Sequence, residues 1–406
     1  MAPRSQPLSR NLYVVSAVSF FQDAASEMLY PVLPLFLTTV LGAAPAAVGL
    51  IEGLADGTAS ATRAIAGRLA DLGPRRPIIA TGYGVSSIGK ILVAAATVAG
   101  GWPLVLVARV TDRFGKGLRG APRDALITDE TTSENRGRAF GFHRAADTAG
   151  AVVGPLLGLT VYELLGESFR SVFLFAVLPA IVSTLLVFSI HERARPLSSP
   201  SAARTSDARI PLFSTDGMTP RYWRLLGFLG VFAAVNFPDA LLLLRANDLG
   251  LGIIGVVLAY VLYNVTYAGF SYPAGLLSDR FRRRHVFALG LFVFAVTYLG
   301  FGLTPTSRAV WWLLPLYGCY SALTDGVSRA WVTDLVPAEH RGIALGLQGM
   351  VTGIGLLVAG VWSGLAWGGT GHGPFLVSGS AALVMAFVLA FRGRALDPVR
   401  HQGPRP

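Results

Sequence analysis

Seven ionisable residues stand within sixteen positions in the stretch Arg109-Val-Thr-Asp112-Arg113-Phe-Gly-Lys116-Gly-Leu-Arg119-Gly-Ala-Pro-Arg123-Asp124. Apolar sequence, Trp102 to Ala108, leads into it. At about 100° per residue the seven fall within about 140° of one helix face, with Val, Leu, Phe, Gly and Ala opposite. A charge near a bilayer centre costs roughly 2.5–3.5 kcal/mol, so Arg109, Asp112, Arg113 and Lys116 together cost about 10–14 kcal/mol. The apolar residues of one helix recover only a few. The charged face is therefore expected to look into protein or water, and charges held at that cost mark a functional site.

Three further clusters carry titratable groups. Asp23 and Glu27 are one helical turn apart and share a face with Tyr30. Two carboxylates at that spacing can hold one proton between them, or simply pair with the excess arginines of the stretch above. Glu52, Asp56 and Arg63 lie within about 40° of one another around a helix, a seam for proton coupling or for salt bridges that fix a bundle. His143, Arg144 and Asp147 form the third, with the imidazole one turn from a carboxylate, where it could hydrogen-bond and titrate near neutral pH. Just beyond, Gly150, Gly154 and Gly158 form a small-residue stripe suited to close helix packing.

The second half of the chain is different in character. Asn236, Pro238 and Asp239 lie in one apolar run, and Pro238 breaks a backbone hydrogen bond and allows a bend. Tyr260, Tyr263, Asn264 and Tyr267 share a face, as do Tyr317, Tyr320, Ser321, Thr324, Asp325 and Arg329. Tyrosines in apolar spans often belong to interfacial belts, but these stand mid-span at helical spacing, which favours the lining of a cavity.

The elements that must position these residues are long apolar runs. The chain has 406 residues, 52% hydrophobic and 14% charged, with a mean hydropathy of +0.54. A soluble protein carries about 25% charged residues. Runs long enough to span a bilayer lie near 12–37, 45–67, 78–99, 102–125, 137–162, 169–190, 221–244, 251–277, 286–303, 309–333, 342–367 and 373–391. The fold expected is an all-α membrane protein of twelve transmembrane helices in two pseudo-symmetric six-helix bundles. Residues 1–190 form the first, 191–220 a Ser-, Arg- and Pro-rich cytoplasmic linker, and 221–406 the second with a short cytoplasmic tail. When connections are assigned alternately to two sides, 22 arginines fall on one side and 3 on the other. The positive-inside rule then puts both termini in the cytoplasm. The net charge of +11 thus records topology rather than nucleic-acid binding. Met1 to Arg10 is short, polar and basic, and the following span is too long and polar for a cleaved signal, so it is expected to be retained. A single cysteine, Cys319, excludes a disulfide framework, and no zinc spacing is present.

The halves repeat. Gly67-Arg-Leu-Ala-Asp71-Leu-Gly-Pro-Arg75-Arg76 matches Gly275-Leu-Leu-Ser-Asp279-Arg-Phe-Arg-Arg283-Arg284 at an offset of 208. Thr128-Asp129 with Glu134-Asn-Arg136-Gly137 matches Thr333-Asp334 with Glu339-His-Arg341-Gly342 at an offset of 205. Two landmarks at nearly one offset argue for a parallel repeat, as in many secondary transporters.

On these residues the chain resembles the major facilitator superfamily over essentially its whole length. The Gly67–Arg76 segment is similar to the family's signature loop after helix 2, with Leu72 and Pro74 as departures. Arg113-Phe-Gly-Lys116-Gly-Leu-Arg119-Gly-Ala resembles the helix-4 motif of twelve-helix drug/proton antiporters, departing at Lys116 and Arg119. Gly150-Ala-Val-Val-Gly154-Pro155-Leu-Leu-Gly158 resembles their helix-5 motif. The resemblance implies proton-coupled efflux of a small organic solute by alternating access, with Arg113 in proton coupling. It also implies a gate of Asp71, Arg75, Arg76, Asp279, Arg283 and Arg284, whose salt bridges hold the outward-facing state, together with Gly150, Gly154 and Pro155.

The proton is then expected on Asp23, Glu27, Asp56, His143 or Asp147. The substrate is expected among Arg109, Asp112, Lys116, Asn236, Asp239, Tyr260, Asn264, Tyr267, Asp325 and Arg329. The alternative is uptake or exchange of an anionic solute, drawn by the five basic residues on one face of the fourth span. A membrane sensor that transports nothing would need no titratable buried seam. An enzyme is not expected: phosphate loop, metal cluster and nucleophile elbow are missing from the sequence. The expected setting is a prokaryotic inner membrane and the expected partners a small molecule, protons and lipid. No cofactor, metal or nucleic acid is expected, and the chain is expected to be a monomer.

Overall fold

The computed structural model describes residues 9–72, 74–131, 135–191, 218–337 and 340–396. Those residues are helical almost throughout, and each expected span coincides with one helix or one broken helix. We label them α1 (Arg10–Leu29), α2 (Pro45–Leu72), α3 (Arg75–Ala96), α4 (Gly101–Asp129), α5 (Arg136–Leu164) and α6 (Phe169–Val187). After the linker come α7, in two pieces (Pro220–Ala233 and Asp239–Asp248), α8 (Gly252–Arg280), α9 (Arg283–Leu303), α10 (Val310–Asp334), α11 (Arg341–Leu365) and α12 (His372–Arg392). The expected linker falls mostly outside the described residues, as do Glu134, Glu339 and the end of the tail.

Seven of these helices are long and apolar enough to cross a membrane. The others, α1, α2, α4, α7 and α10, are those that carry the charged and polar clusters or are broken. The cost of their polar residues is met inside the protein, by packing these helices toward the centre. Local chemistry sets the ends. Ser9, Ser168 and Thr219 cap α1, α6 and α7 by accepting backbone N–H groups, and Pro220 follows Thr219 as first helical residue. Pro238, with extended backbone (φ −57°, ψ 141°), separates the pieces of α7 and leaves Asp239 in the first turn of the second.

The C-terminal ends of α2, α4, α8 and α10 share one face of the molecule, here called the near face; the start of α2 at Pro45 lies at the far face. The repeat seen in the sequence becomes a repeated contact at the near face. Arg75 pairs with Asp129 at 2.6 Å, and Arg283 pairs with Asp334. Each landmark arginine thus binds the landmark aspartate of its own half, between the helices that follow one another there. Arg283 also donates to Ser278 at 3.1 Å, and Arg76 donates to the Phe188 carbonyl at 2.6 Å. Asp279 is exposed and Arg284 buried, while the Asp71 side chain lies outside the described ones.

Gly150, Gly154 and Gly158 meet α1 within the same half. A Cβ on Gly150 would lie 2.6 Å from the Phe20 carbonyl oxygen, and one on Gly154 would lie 2.5 Å from that of Ala24. Between the halves, the close approach is at the far face, where α2 meets α11. A Cβ on Gly49 would lie 2.0 Å from the Gly360 carbonyl oxygen, and one on Gly364 would lie 2.4 Å from the Ala46 Cα.

Toward the near face the halves part. Arg63, Arg144, Asp325 and Arg329 are all exposed. Yet Arg63 and Arg329 feel each other's charge, as do Arg144 and Asp325, although the members of each pair belong to different halves. Charged side chains that face one another while exposed line a cleft. The molecule is closed at the far face and open at the near one.

Candidate functional site

The first-half wall of the cleft is a chain of buried ion pairs. Arg109 donates twice to Glu52, from Nε to Oε1 at 2.8 Å and from Nη2 to Oε2 at 2.6 Å. Lys90 donates to Asp112 at 2.9 Å, and Arg109 lies 3.7 Å from the other oxygen of Asp112. Arg113 reaches Asp56 at 3.2 Å and Glu52 at 3.9 Å. Three cations meet three carboxylates on α2, α3 and α4, and all but the partly exposed Asp56 are buried. A closed set of this kind is tolerated in a membrane because each charge has a partner and the geometry is bidentate at its centre. Arg109 and Asp112 of the expected substrate site are thus held inside the bundle, in this network.

Lys90 escaped notice in the sequence. Its signal was there: the chain has two lysines, Lys90 and Lys116, and both fall in apolar spans.

A second cluster lies nearer the open face, where α1, α4 and α5 meet. Arg123 donates to Ser19 at 3.0 Å and lies 4.0 Å from Asp147. His143 contacts Ser16 and Ser19 at 3.4 and 3.5 Å, and its Nε2 is 3.8 Å from Asp147. Arg144 approaches the same carboxylate at 3.8 Å. Asp147 is also the charge that acts most strongly on Asp23, ahead of Lys116, Arg119 and Arg123. Asp23 thus faces Asp147 as well as its expected partner Glu27. Glu27 points the other way. It accepts the Tyr260 hydroxyl at 2.7 Å, a bond from α1 to α8 and so from one half to the other. Tyr30 links the two walls: its ring is 5.5 Å from that of Tyr260, and the Arg109 guanidinium lies 5.7 Å from its centre.

The second-half wall is aromatic. Tyr317 donates to Asp239 at 2.7 Å, and Tyr263 makes a longer contact of 3.5 Å to its other oxygen. Tyr267 donates to Asp325 at 3.0 Å. Asn236, half-buried at the break in α7, donates to Tyr320 at 3.0 Å and accepts from Tyr298 at 3.4 Å. Asn264 instead donates to the Tyr260 carbonyl of its own helix at 3.2 Å. Tyr298, on α9, was not singled out from the sequence; no second polar residue marks its face. Arg329 is exposed in the cleft, and Lys116 of α4 is half-buried, acting on Asp23 and Glu27 of α1.

Groups of three or more metal-ligating side chains do not occur among the described residues. The arrangement offers an alternating-access carrier what it needs: a central cleft, one closed end, and polar groups that bridge the halves.

The comparisons agree with this geometry. The chain is 31% identical over 392 residues, 95% of its length and 95% of the relative's, to an uncharacterized MFS-type transporter of Methanocaldococcus jannaschii. It is 25% identical over 378 residues to the multidrug resistance protein MdtH of Photorhabdus laumondii, covering 89% of each chain. Among solved structures, the nucleoside transporter NupG superposes with a TM-score of 0.75 at 14% identity, over 95% of this chain and 100% of that one. A bacterial homolog of the human lysosomal transporter Spinster, in an inward-facing and occupied conformation, gives 0.72 at 18% identity over 95% and 96%. The profile of the Major Facilitator Superfamily matches residues 15–264 and 225–406. The chain belongs to the Major Facilitator Superfamily and is a multi-pass membrane transporter of a small molecule, not an enzyme.

Proposed function

We propose that this transporter exports a small organic solute in exchange for protons, as a monomer whose two six-helix halves rock about the central cleft. The near face is then cytoplasmic, by its arginines, and the conformation described is the inward-facing one. The observation that carries the reading is the set Asp23, Glu27 and Asp147. These carboxylates lie outside the neutral network of α2–α4, border the cleft, and include one whose hydrogen bond ties the halves together.

The mechanism follows from that bond. An ionised Glu27 accepts the Tyr260 hydroxyl in a charge-assisted bond, and charge-assisted bonds are about twice as strong as neutral ones. The empty, deprotonated carrier is thereby held closed at the far face. Solute that takes over Tyr260 releases the bond and lets the halves rock outward. A proton taken up outside neutralises the carboxylates for the return, and the low potential of the cytoplasmic proton draws it off. Asp147, with Arg123 and His143 beside it, provides the step between Asp23 and the cytoplasm.

The multidrug resistance relatives point the same way. The alternative, carriage of an anion, drew on the basic face of α4. Three of the cations available to that wall are neutralised by carboxylates, so its field is not that of an anion trap.

The test is internal pH in proteoliposomes of purified protein, with a panel of cationic, neutral and anionic solutes added. We expect proton movement opposite to the solute, falling about tenfold or more in Asp23→Asn, Glu27→Gln and Asp147→Asn. Solute flux without proton counterflow, or counterflow that survives all three substitutions, overturns the reading.

A further inference from the structure

Away from the cleft, the outer surface of the second half carries a groove of about 350 Å³ between α9 and α12. Its floor is alanine: Ala288 and Ala386 are buried and Ala390 is half-buried. Leu289 and Phe292 of α9 and Phe387 of α12 are exposed and stand as its walls. Phe391 extends the wall toward the near face, its ring 6.2 Å from that of Phe387 and nearly parallel at 8°. Small residues where the helices meet, with large ones to either side, leave a furrow open to the lipid.

The first half treats the matching place differently. At the offset of 208, Ala288, Leu289 and Phe292 correspond to Ala80, Thr81 and Gly84. There α3 and α6 are tied together. Ser87 donates to the Ala180 carbonyl at 3.0 Å and lies 2.9 Å from the Thr184 hydroxyl, and a Cβ on Gly84 would meet the Thr184 methyl at 3.9 Å. Alanine stands at 295, the position matching Ser87, so α9 brings no hydroxyl there.

The near-face end of the groove is basic. His285, in the first turn of α9, lines it and is exposed. Arg392 ends α12, and Arg394 lies in the tight turn that follows; both are exposed. Trp331, near the end of α10, donates to the Leu396 carbonyl at 3.1 Å and so holds that turn at the near face. Arg280 and Arg282, exposed as well, lead into α9. Asp279 is the acid of that connection, and Asp334 is engaged by Arg283. From His285 to Phe292 the groove runs about 10 Å, two-thirds of the roughly 15 Å of hydrocarbon in one leaflet.

We propose that this groove binds an anionic phospholipid of the near-face leaflet, one acyl chain in the furrow and the phosphate on His285, Arg392 and Arg394. Basic pockets between membrane helices recognise negative headgroups in this way. The charge at the groove's end selects against a lipid with no net charge. It also selects against a second copy of the chain: copies in one membrane share an orientation, so a two-fold contact here would press the same basic ends together. The site rests on membrane insertion alone and is independent of what the cleft carries and of proton coupling.

Native mass spectrometry of the delipidated full-length protein in detergent tests it. Dioleoyl phosphatidylglycerol is expected to fill one saturable site about tenfold or more tightly than dioleoyl phosphatidylcholine, at about 1 kcal/mol per basic residue near the headgroup. Glycerol 3-phosphate at the same concentration should leave the lipid in place, since it offers the phosphate without the chain. Arg392→Gln/Arg394→Gln is expected to weaken phosphatidylglycerol binding about tenfold or more and to leave phosphatidylcholine within about threefold. Ala390→Trp, which fills the furrow, should weaken phosphatidylglycerol by a similar factor. Equal affinity for the two lipids, displacement by glycerol 3-phosphate, or unchanged phosphatidylglycerol binding in the arginine variant overturns the proposal. Should Ala390→Trp fail to fold, the arginine variant, altered only at exposed positions, decides. A dimer that Ala390→Trp splits would assign the groove to a second copy and overturn it as well.

Discussion

Replacing Glu52 by leucine is expected to destabilise the folded protein strongly, and replacing Arg109 by leucine along with it is expected to restore much of the loss. Glu52 holds Arg109 by two short hydrogen bonds and stands 3.9 Å from Arg113. Without it three cations share two carboxylates, and Arg109 keeps only its 3.7 Å approach to Asp112, which Lys90 already engages. Removing one partner of a buried pair costs about 3–5 kcal/mol, because the other charge is left uncompensated. Folded proteins have only about 5–15 kcal/mol to lose. At about 2 °C per kcal/mol for a chain of this size, the melting temperature in detergent drops by roughly 6–10 °C. In the Glu52→Leu/Arg109→Leu double variant, Lys90 keeps Asp112 and Arg113 keeps Asp56, so every remaining charge has a partner. Apolar replacement of a whole buried pair is often neutral. Thermal unfolding of the two single variants and the double one gives the coupling directly. Equal losses in single and double variants would mean that the site needs the charges themselves and that pairing does not explain their burial.

The same network shows what the sequence could and could not say. Helical spacing fixes the angle at which a side chain leaves its helix, so the polar faces of α1, α2, α4, α8 and α10 were open to reading. It does not say which helix stands opposite. Glu52 and Arg109 were both visible, but their pairing was not, and without it the basic face of α4 looked like a field for anions. Asp23 and Glu27 illustrate the same limit. One turn apart, they suggest a couple, yet Asp23 packs against Gly150 of α5, on the side of Asp147, while Glu27 reaches across to Tyr260 of α8. Lys90 was missed because one charge in an apolar span makes no pattern. The repeat fared better, since an offset is a long-range statement: the arginines and aspartates found at matching offsets are bound to one another in each half.

Gly360 and Gly49 lie outside every motif, and Gly360→Leu is expected to abolish transport while leaving the protein folded. A Cβ on Gly360 would lie 2.4 Å from the Gly49 carbonyl oxygen and 3.0 Å from its Cα. Both obstacles are backbone, which no rotamer change moves aside. Because α2 and α11 belong to different halves, each half can fold with the larger residue in place; what cannot form is the closed far face. Gly154→Leu provides the contrast. Its clash with the Ala24 carbonyl lies within one half, so there the fold itself is expected to suffer. An opposing energy of about 3 kcal/mol turns an even balance of the two states into roughly 150 to 1. The carrier is then trapped open at the far face, with transport down about a hundredfold and the melting temperature within about 2 °C of the parent. Accessibility reads the trap. In a Cys319→Ser background, Ala46→Cys is packed against Gly364 in the closed seam and should react slowly with an impermeant maleimide added from the far side. Adding Gly360→Leu is expected to speed that reaction about tenfold or more. A Gly360→Leu protein that transports normally and keeps the cysteine protected would show that α2 and α11 separate in neither state, and the rocking of the two halves about this seam would have to be abandoned.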